Sequence, residues 1–211
     1  MGRTDEFGVA GWSLLHTRRK DLPVATSLYH ATASLDGFIT GPGEELSWLL
    51  DPTMGGPNAI VDTVIANIGA LLVGGRTAHW QPPGAQPDDI EELTGKPFGG
   101  AWEGPIVIHT HDPEEAPASE DHVHVTGTVE EAYAVAAEAA GDKYVVVLGA
   151  VTSRRLLEAG LLDEVLLHVV PRFVGDGTRV LEAPGGLPVA LEWLDRSTSG
   201  DVQNLWARVV R

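Results

Sequence analysis

The chain has 211 residues, a length that suits one domain with a core large enough to stand without covalent staples. It contains no cysteine, which excludes structural disulfides and thiolate metal sites and is compatible with a reducing cytoplasm. Lys and Arg number 14 against 30 Asp and Glu, and the net charge of −16 argues against a nucleic-acid backbone or an anionic membrane as partner. Any phosphate-bearing ligand must then be held by local Arg side chains and backbone N–H groups.

Residues 1–22 read as a flexible extension ahead of a domain spanning 23–211. Gly8 to Leu15 is short and polar-interrupted, and its basic cluster Arg18, Arg19, Lys20 follows the apolar part instead of preceding it, so export is not expected. No run of about 18 apolar residues occurs, which excludes a conventional membrane-spanning helix.

From Val24 the chain has strand chemistry, broken at Asp36-Gly37, a turn dipeptide. The Gly/Pro-rich stretch after it carries an apolar knot at Leu46, Trp48, Leu49 and Leu50, which suits either a pocket wall or a satellite core contact. Asn58 is placed to cap a helix running through Ile68, with Gly69 closing it and Ala70 to Val73 forming a buried strand. That strand ends in Gly74-Gly75-Arg76-Thr77, where a guanidinium can grip phosphate oxygens in fork geometry. Gln81 to Glu103 reads as a surface excursion with one helical turn, whose Phe98 and Trp102 pack back over a groove.

Pro105 to His109 is the next strand. His109 and His111, and His122 and His124, share faces by period-two spacing, but nothing around them supplies the carboxylate pattern of a metal site, and none is expected. Val123 to Val125 reads as a strand and Val129 to Ala140 as a helix terminated by Gly141. The apolar run Val145 to Leu148 is what a strand buried on both faces needs. Gly149 ends it, Thr152 or Ser153 caps the following helix, and Gly160 stops that helix. A small-residue turn at a helix N-terminus offers free N–H groups and a positive dipole end to an anion. Two such turns, Gly74 to Thr77 and Gly149 to Ser153, can embrace the two ends of a dinucleotide. The remaining chain reads as a long strand with Pro171 inside it and an antiparallel pair flanking Gly200-Asp201. Together these elements imply an α/β fold with a central mixed sheet, helices on both faces and a C-terminal antiparallel hairpin.

The ordered blocks ATASLDGFI, LSWL, ALLVGGR, LGAVTSRRLLEAGLLDEVLLHVVP and GDGTR resemble the family that joins dihydrofolate reductase-like proteins to the reductase domain of riboflavin biosynthesis. The resemblance covers about residues 24–211. It implies a dihydrofolate reductase-like fold, NADPH as cofactor, a homodimer, and hydride transfer to a small heterocyclic (pterin or pyrimidine-like) or carbonyl substrate. It further implies that Gly149, Ala150, Val151, Thr152 and Ser153 hold the pyrophosphate and that Arg76 and Thr77 contact the adenine-side phosphates. Thr110 and His111 match the place where relatives recognise the ribose 2′-phosphate. Asp36 to Ile39 correspond to a mobile loop over the nicotinamide, and Ser47, Trp48 and Asp51 face the substrate. Asp51, after an apolar segment, is the first candidate proton donor, and Asp36 the second. Relatives usually carry Gly-Gly where this chain has Gly149-Ala150, so one extra methyl stands at the seat. A non-catalytic nucleotide- or pterin-binding module, or a reductase using flavin or deazaflavin, fits the same turns.

Overall fold

The computed structural model describes residues 25–49, 57–80, 97–113 and 121–211. Asp51 and the 1–22 extension lie outside the described residues, as does most of the Gln81–Glu103 excursion.

Eight strands form one sheet: β1 (Thr26–Ser34), β2 (Ile68–Gly74), β3 (Ile106–His109), β4 (His122–Val125), β5 (Tyr144–Leu148), β6 (Glu164–Val170), β7 (Leu191–Ser199) and β8 (Val202–Val209). Their order is β4-β3-β2-β5-β1-β6-β8-β7. The pairings from β4 to β6 are all parallel, while β8 runs antiparallel to both β6 and β7. Among the described residues four α-helical segments join them: α1 (Ala59–Ala66), the single turn α2 (Gly75–Ala78), α3 (Val129–Ala140) and α4 (Ala150–Glu158).

The side-chain alternation of the central strands divides the core into two layers. Tyr29, Ala70, Leu72, Val107, Val145 and Val147 pack with α3 and with Leu156 of α4 on one face. Leu28, Leu71, Val73, Val146 and Leu166 pack with Val64 of α1 and with Trp102 on the other. Burial on both faces is what the apolar run of β5 requires, and helices do cover both sides. The start of α3 is fixed by a capping box in which Thr128 Oγ1 accepts from Glu131 N and Glu131 Oε2 accepts from Thr128 N.

Three local expectations need correction. Helix α1 stops at Ala66, and Ile68 and Gly69 already belong to β2. Gly69 serves as a point of close approach, since a Cβ there would lie 2.4 Å from the Ala140 carbonyl oxygen at the end of α3. Asn58 sits at the N-cap of α1 without a side-chain capping bond, because its amide is engaged elsewhere. Pro171 falls just beyond β6, where its missing N–H costs no ladder bond.

Candidate active site

Strands β1 and β5 pair only from Thr26↔Tyr144 to Tyr29↔Val147, whereas β1 stays paired with β6 up to Ser34↔Val170. The second half of β1 therefore parts from β5, and His30, Ala31 and Thr32 are half-buried along the opening. Crevices at the carboxyl ends of parallel strands are where open α/β sheets bind ligands. This one lies between the β5 end that carries Gly149 and the strand that leads to Asp36.

The two predicted turns meet at its rim. Gly149 is the N-cap of α4 with φ +102°, so the chain passes from strand to helix without a side-chain cap. Thr152 and Ser153, expected as caps, instead sit inside the first turns, and Ser153 Oγ donates to the Gly149 carbonyl at 3.0 Å. A Cβ on Gly149 would lie 2.5 Å from Thr77 Oγ1, one on Gly74 2.6 Å from Thr152 Oγ1, and one on Gly75 2.9 Å from Thr110 Oγ1. Three glycines thus let three threonines and two helix starts close into one cradle, and any Cβ there would clash with a threonine hydroxyl. Ala150 is buried, so its methyl group lies against packed protein. Arg76 extends from α2 with most of its side chain exposed and Glu44 3.9 Å away. Val151 is half-buried, Thr110 is buried with its hydroxyl exchanging bonds with Asp112, and His111 is exposed at the same strand end. The cradle, with backbone donors, hydroxyls and one guanidinium, fits the phosphates of a dinucleotide.

The segment after β1 spans the opening. At one end Trp80 Nε1 donates to the Glu44 carbonyl at 2.8 Å, beyond β2. At the other, Trp48 packs on Val170 and Val202, beyond β6. Trp48 is 7 % exposed, and its indole N–H finds no acceptor among the described residues. Ser47 is exposed, its N–H bonded to Glu45 Oε1.

Asp36 and Ile39 are tied by bonds to the segment that follows β6. The Asp36 carboxylate accepts from Ser34 Oγ at 2.6 Å, Val174 N at 3.1 Å and Gly175 N at 2.8 Å. Ile39 N donates to Thr178 O, Val180 N to Gly37 O, and Phe38 bridges Arg179, whose guanidinium covers the Phe38 ring at 4.5 Å. The Ser34 hydroxyl, assisted by the Val174 and Gly175 amides, holds the Asp36 carboxyl below its ordinary value of 3.8. An ionised, fully engaged carboxylate is a loop anchor and a poor proton donor. Asp36→Ala is expected to lower the melting temperature and speed proteolysis near residues 174–175, with Asp36→Asn intermediate. Equal cleavage rates would show that the anchor carries no weight. The contribution of the anchor is present above pH 3.8 and fades as pH falls below it.

A buried polar chain beneath the cleft was not anticipated. His30 Nε2 lies 2.7 Å from His168 Nε2, and His168 Nδ1 lies 2.6 Å from Asn204 Oδ1. Asn204 and Asn58 exchange a reciprocal amide pair at 3.0 and 3.2 Å, which draws the start of α1 onto the sheet. Burial, with a smaller contribution from His168, pushes the His30 imidazole down to about 3, and burial lowers His168 as well. Both rings are therefore neutral at pH 7. Phe98 stacks on His30 with ring centroids 5.8 Å apart. The sequence signal for this chain was a lone His within the apolar strand LLHVV, since a polar residue in a buried run is the informative exception. Among the described residues no group of three or more His, Cys, Asp or Glu is placed to hold a metal ion, and no helix is long and apolar enough to cross a membrane.

The geometry agrees with the comparisons to known proteins. No curated protein sequence matches the chain. Among solved structures, a Shewanella sp. PV-4 protein assigned to riboflavin biosynthesis superposes with TM-score 0.68 at 15 % identity, over 88 % of this chain and 99 % of that one. The Thermotoga maritima diaminohydroxyphosphoribosylaminopyrimidine deaminase/5-amino-6-(5-phosphoribosylamino)uracil reductase gives 0.61 at 18 % identity, over 95 % of this chain and 60 % of its own length. Enterococcus faecalis dihydrofolate reductase, complexed with NADP(H), gives 0.53 at 16 % identity over 89 % and 98 %. At these identities the likeness establishes the dihydrofolate reductase-like fold. The model of the RibD C-terminal domain matches residues 26–202, and the chain belongs to that family.

Proposed function

We propose that the protein is an NADPH-dependent reductase that delivers hydride to a small flat heterocycle of the pyrimidine or pterin class. The observation that carries this reading is the parting of β1 from β5 immediately beside the cradle of Gly74, Gly75 and Gly149. Family membership supports it, as does the bound NADP(H) of the Enterococcus relative.

In this reading the N-terminal turn of α4, with Gly149, Ala150, Val151, Thr152 and Ser153, seats the pyrophosphate. Arg76 and Thr77 hold the adenine-side phosphates, and Thr110 and His111 border the 2′-phosphate. Bound there, NADPH supplies a hydride from C4 of its nicotinamide. The protein contributes placement: hydride transfer gains its rate from holding donor and acceptor carbons about 3–3.5 Å apart. Ile39, fixed to Thr178, borders the mouth of the cleft from the β1 side, while Ser47 and Trp48 wall it from above and limit water. Protonation of the reduced product falls to Asp51 or to water, because Asp36 is committed to its loop.

Titration with NADPH, followed by nicotinamide fluorescence, is expected to saturate in the micromolar range. Arg76→Met is expected to weaken binding about tenfold at low salt, the loss of one charge-assisted phosphate contact, and the gap should narrow as salt rises. No binding at millimolar NADPH would end the reductase reading. Binding without oxidation by any pterin, pyrimidine or carbonyl acceptor would favour a non-catalytic nucleotide-binding role.

A further inference from the structure

We propose that His30 reads the substrate ring: its Nδ1 is the acceptor for an N–H donor on the heterocycle, held in that tautomer by His168, Asn204 and Asn58. The word substrate rests on the reductase reading; the recognition chemistry does not.

The tautomer follows from the far end of the chain. Asn58 and Asn204 donate to each other's carbonyl oxygens, and Asn204 Nδ2 also reaches Ser197 Oγ at 3.3 Å. The Asn204 oxygen therefore faces His168 Nδ1, which must carry the proton. In a neutral ring His168 Nε2 is then a bare lone pair, and His30 Nε2, 2.7 Å away, must donate to it. His30 is left with an unprotonated Nδ1. No described residue bonds to that atom.

Its position makes the lone pair useful. Val73 and Leu148 are cross-strand partners, and the step after Tyr29↔Val147 sets His30 level with Leu148, immediately before the Gly149 turn. This is where β1 and β5 part. With Nε2 spent on His168 on the β6 side, Nδ1 is the ring nitrogen of this half-buried side chain left for a ligand at the opening. Phe98 covers one face of the imidazole, and does so with φ +56° and ψ 34°, a left-handed conformation that a bulky residue adopts at a cost. Strain of about 1–3 kcal/mol persists where the surroundings enforce it and gathers at ligand sites. An acceptor at this opening suits a flat ring bearing amine or amide N–H groups, as in an aminopyrimidine. A hydrogen-bonding site of this kind rejects an analogue lacking the donor far more sharply than an apolar pocket does.

The test uses the full chain labelled with 15N-histidine, its imidazole signals assigned with His30→Gln and His168→Gln. The proposal expects the proton on Nε2 in His30 and on Nδ1 in His168. Millimolar 2,4-diaminopyrimidine should shift the His30 Nδ1 resonance, and 2,4-dimethoxypyrimidine, the same ring without donors, should leave it in place. Wild-type protein should bind the diamino compound about 3- to 10-fold more tightly than the dimethoxy compound, and His30→Met should erase that preference. A proton on His30 Nδ1, or no shift with the diamino probe, overturns the proposal. NADPH affinity is measured alongside: its absence in the wild type ends the reductase reading while leaving the probe results to stand, and its presence without a His30 shift ends only this one.

Discussion

Gly149→Ala is expected to raise the NADPH dissociation constant by at least about 30-fold, the largest effect of any single methyl group added to the protein. Two costs combine at this position. The backbone holds φ +102° and ψ 130°, a region essentially restricted to glycine and worth about 1–3 kcal/mol for any other residue. The new Cβ would also meet Thr77 Oγ1 at 2.5 Å and push it out of the cradle. Gly74→Ala separates the two, because its φ of −72° suits any residue while its Cβ would still press on Thr152 Oγ1. Gly74→Ala should therefore cost only the crowding at Thr152 and weaken NADPH, whereas Gly149→Ala should add backbone strain of about 2 kcal/mol to its own crowding at Thr77 and lose both affinity and more stability. Urea melts and fluorescence titrations measure the two quantities. Wild-type affinity in both variants would mean that the dinucleotide does not use this cradle.

Acid is expected to begin weakening the fold before its carboxylates protonate. The His30 ring, pushed from 6.5 to about 3, binds its proton more readily in the unfolded chain. The unfolded state therefore takes up more protons across that interval, and stability, complete above pH 6.5, is lost as pH falls towards 3. His168 shifts in the same direction. At about 1.4 kcal/mol per pH unit for one proton, the loss approaches about 3 kcal/mol by pH 4, a large share of a typical stability of about 5–15 kcal/mol. Denaturant melts at pH 7, 5.5 and 4 give the slope. Replacing both imidazoles, as His30→Met with His168→Met, should flatten it, because an apolar pair leaves no buried base to charge. A double variant with the wild-type slope would place the acid sensitivity elsewhere. The Asp36 anchor cannot mimic the effect, since its own contribution fades only below 3.8.

Much of the architecture was legible because it rests on local chemistry. The period of β5, the Gly141 stop of α3 and the turn at Gly200-Asp201 each obey rules that act within a few residues, and the structure places them as expected. Where long-range packing decides, the reading slipped. Gly69 looked like a helix stop because glycine ends helices, yet its reason is the Ala140 backbone, 71 positions later in the chain. Thr152 and Ser153 looked like caps because the helix start at Ala150, two residues earlier, carries no capping residue to mark it in the sequence. Asp36 read locally as a turn residue beside Gly37, and its partners, the amides of Val174 and Gly175, come from far along the chain. The candidate cofactor seat was legible as two turns, but their union needed the sheet order, which sets β2 beside β5. The candidate substrate wall was legible at Trp48 and invisible at His30, whose meaning depends on three residues from α1's start, β6 and β8.

The parting of β1 from β5 has a consequence for how the protein lives among other chains. A strand with free amide and carbonyl groups normally invites another polypeptide to add itself, which is why sheet borders are shortened, charged or covered. Here the unused border lies in the middle of the sheet, flanked by strands on both sides. A foreign strand needs about 4.7–4.9 Å of clearance on each side and several residues of length, and an interior slit only half a strand deep offers neither. The protein thus keeps its unpaired backbone border inside the sheet, between strands of its own.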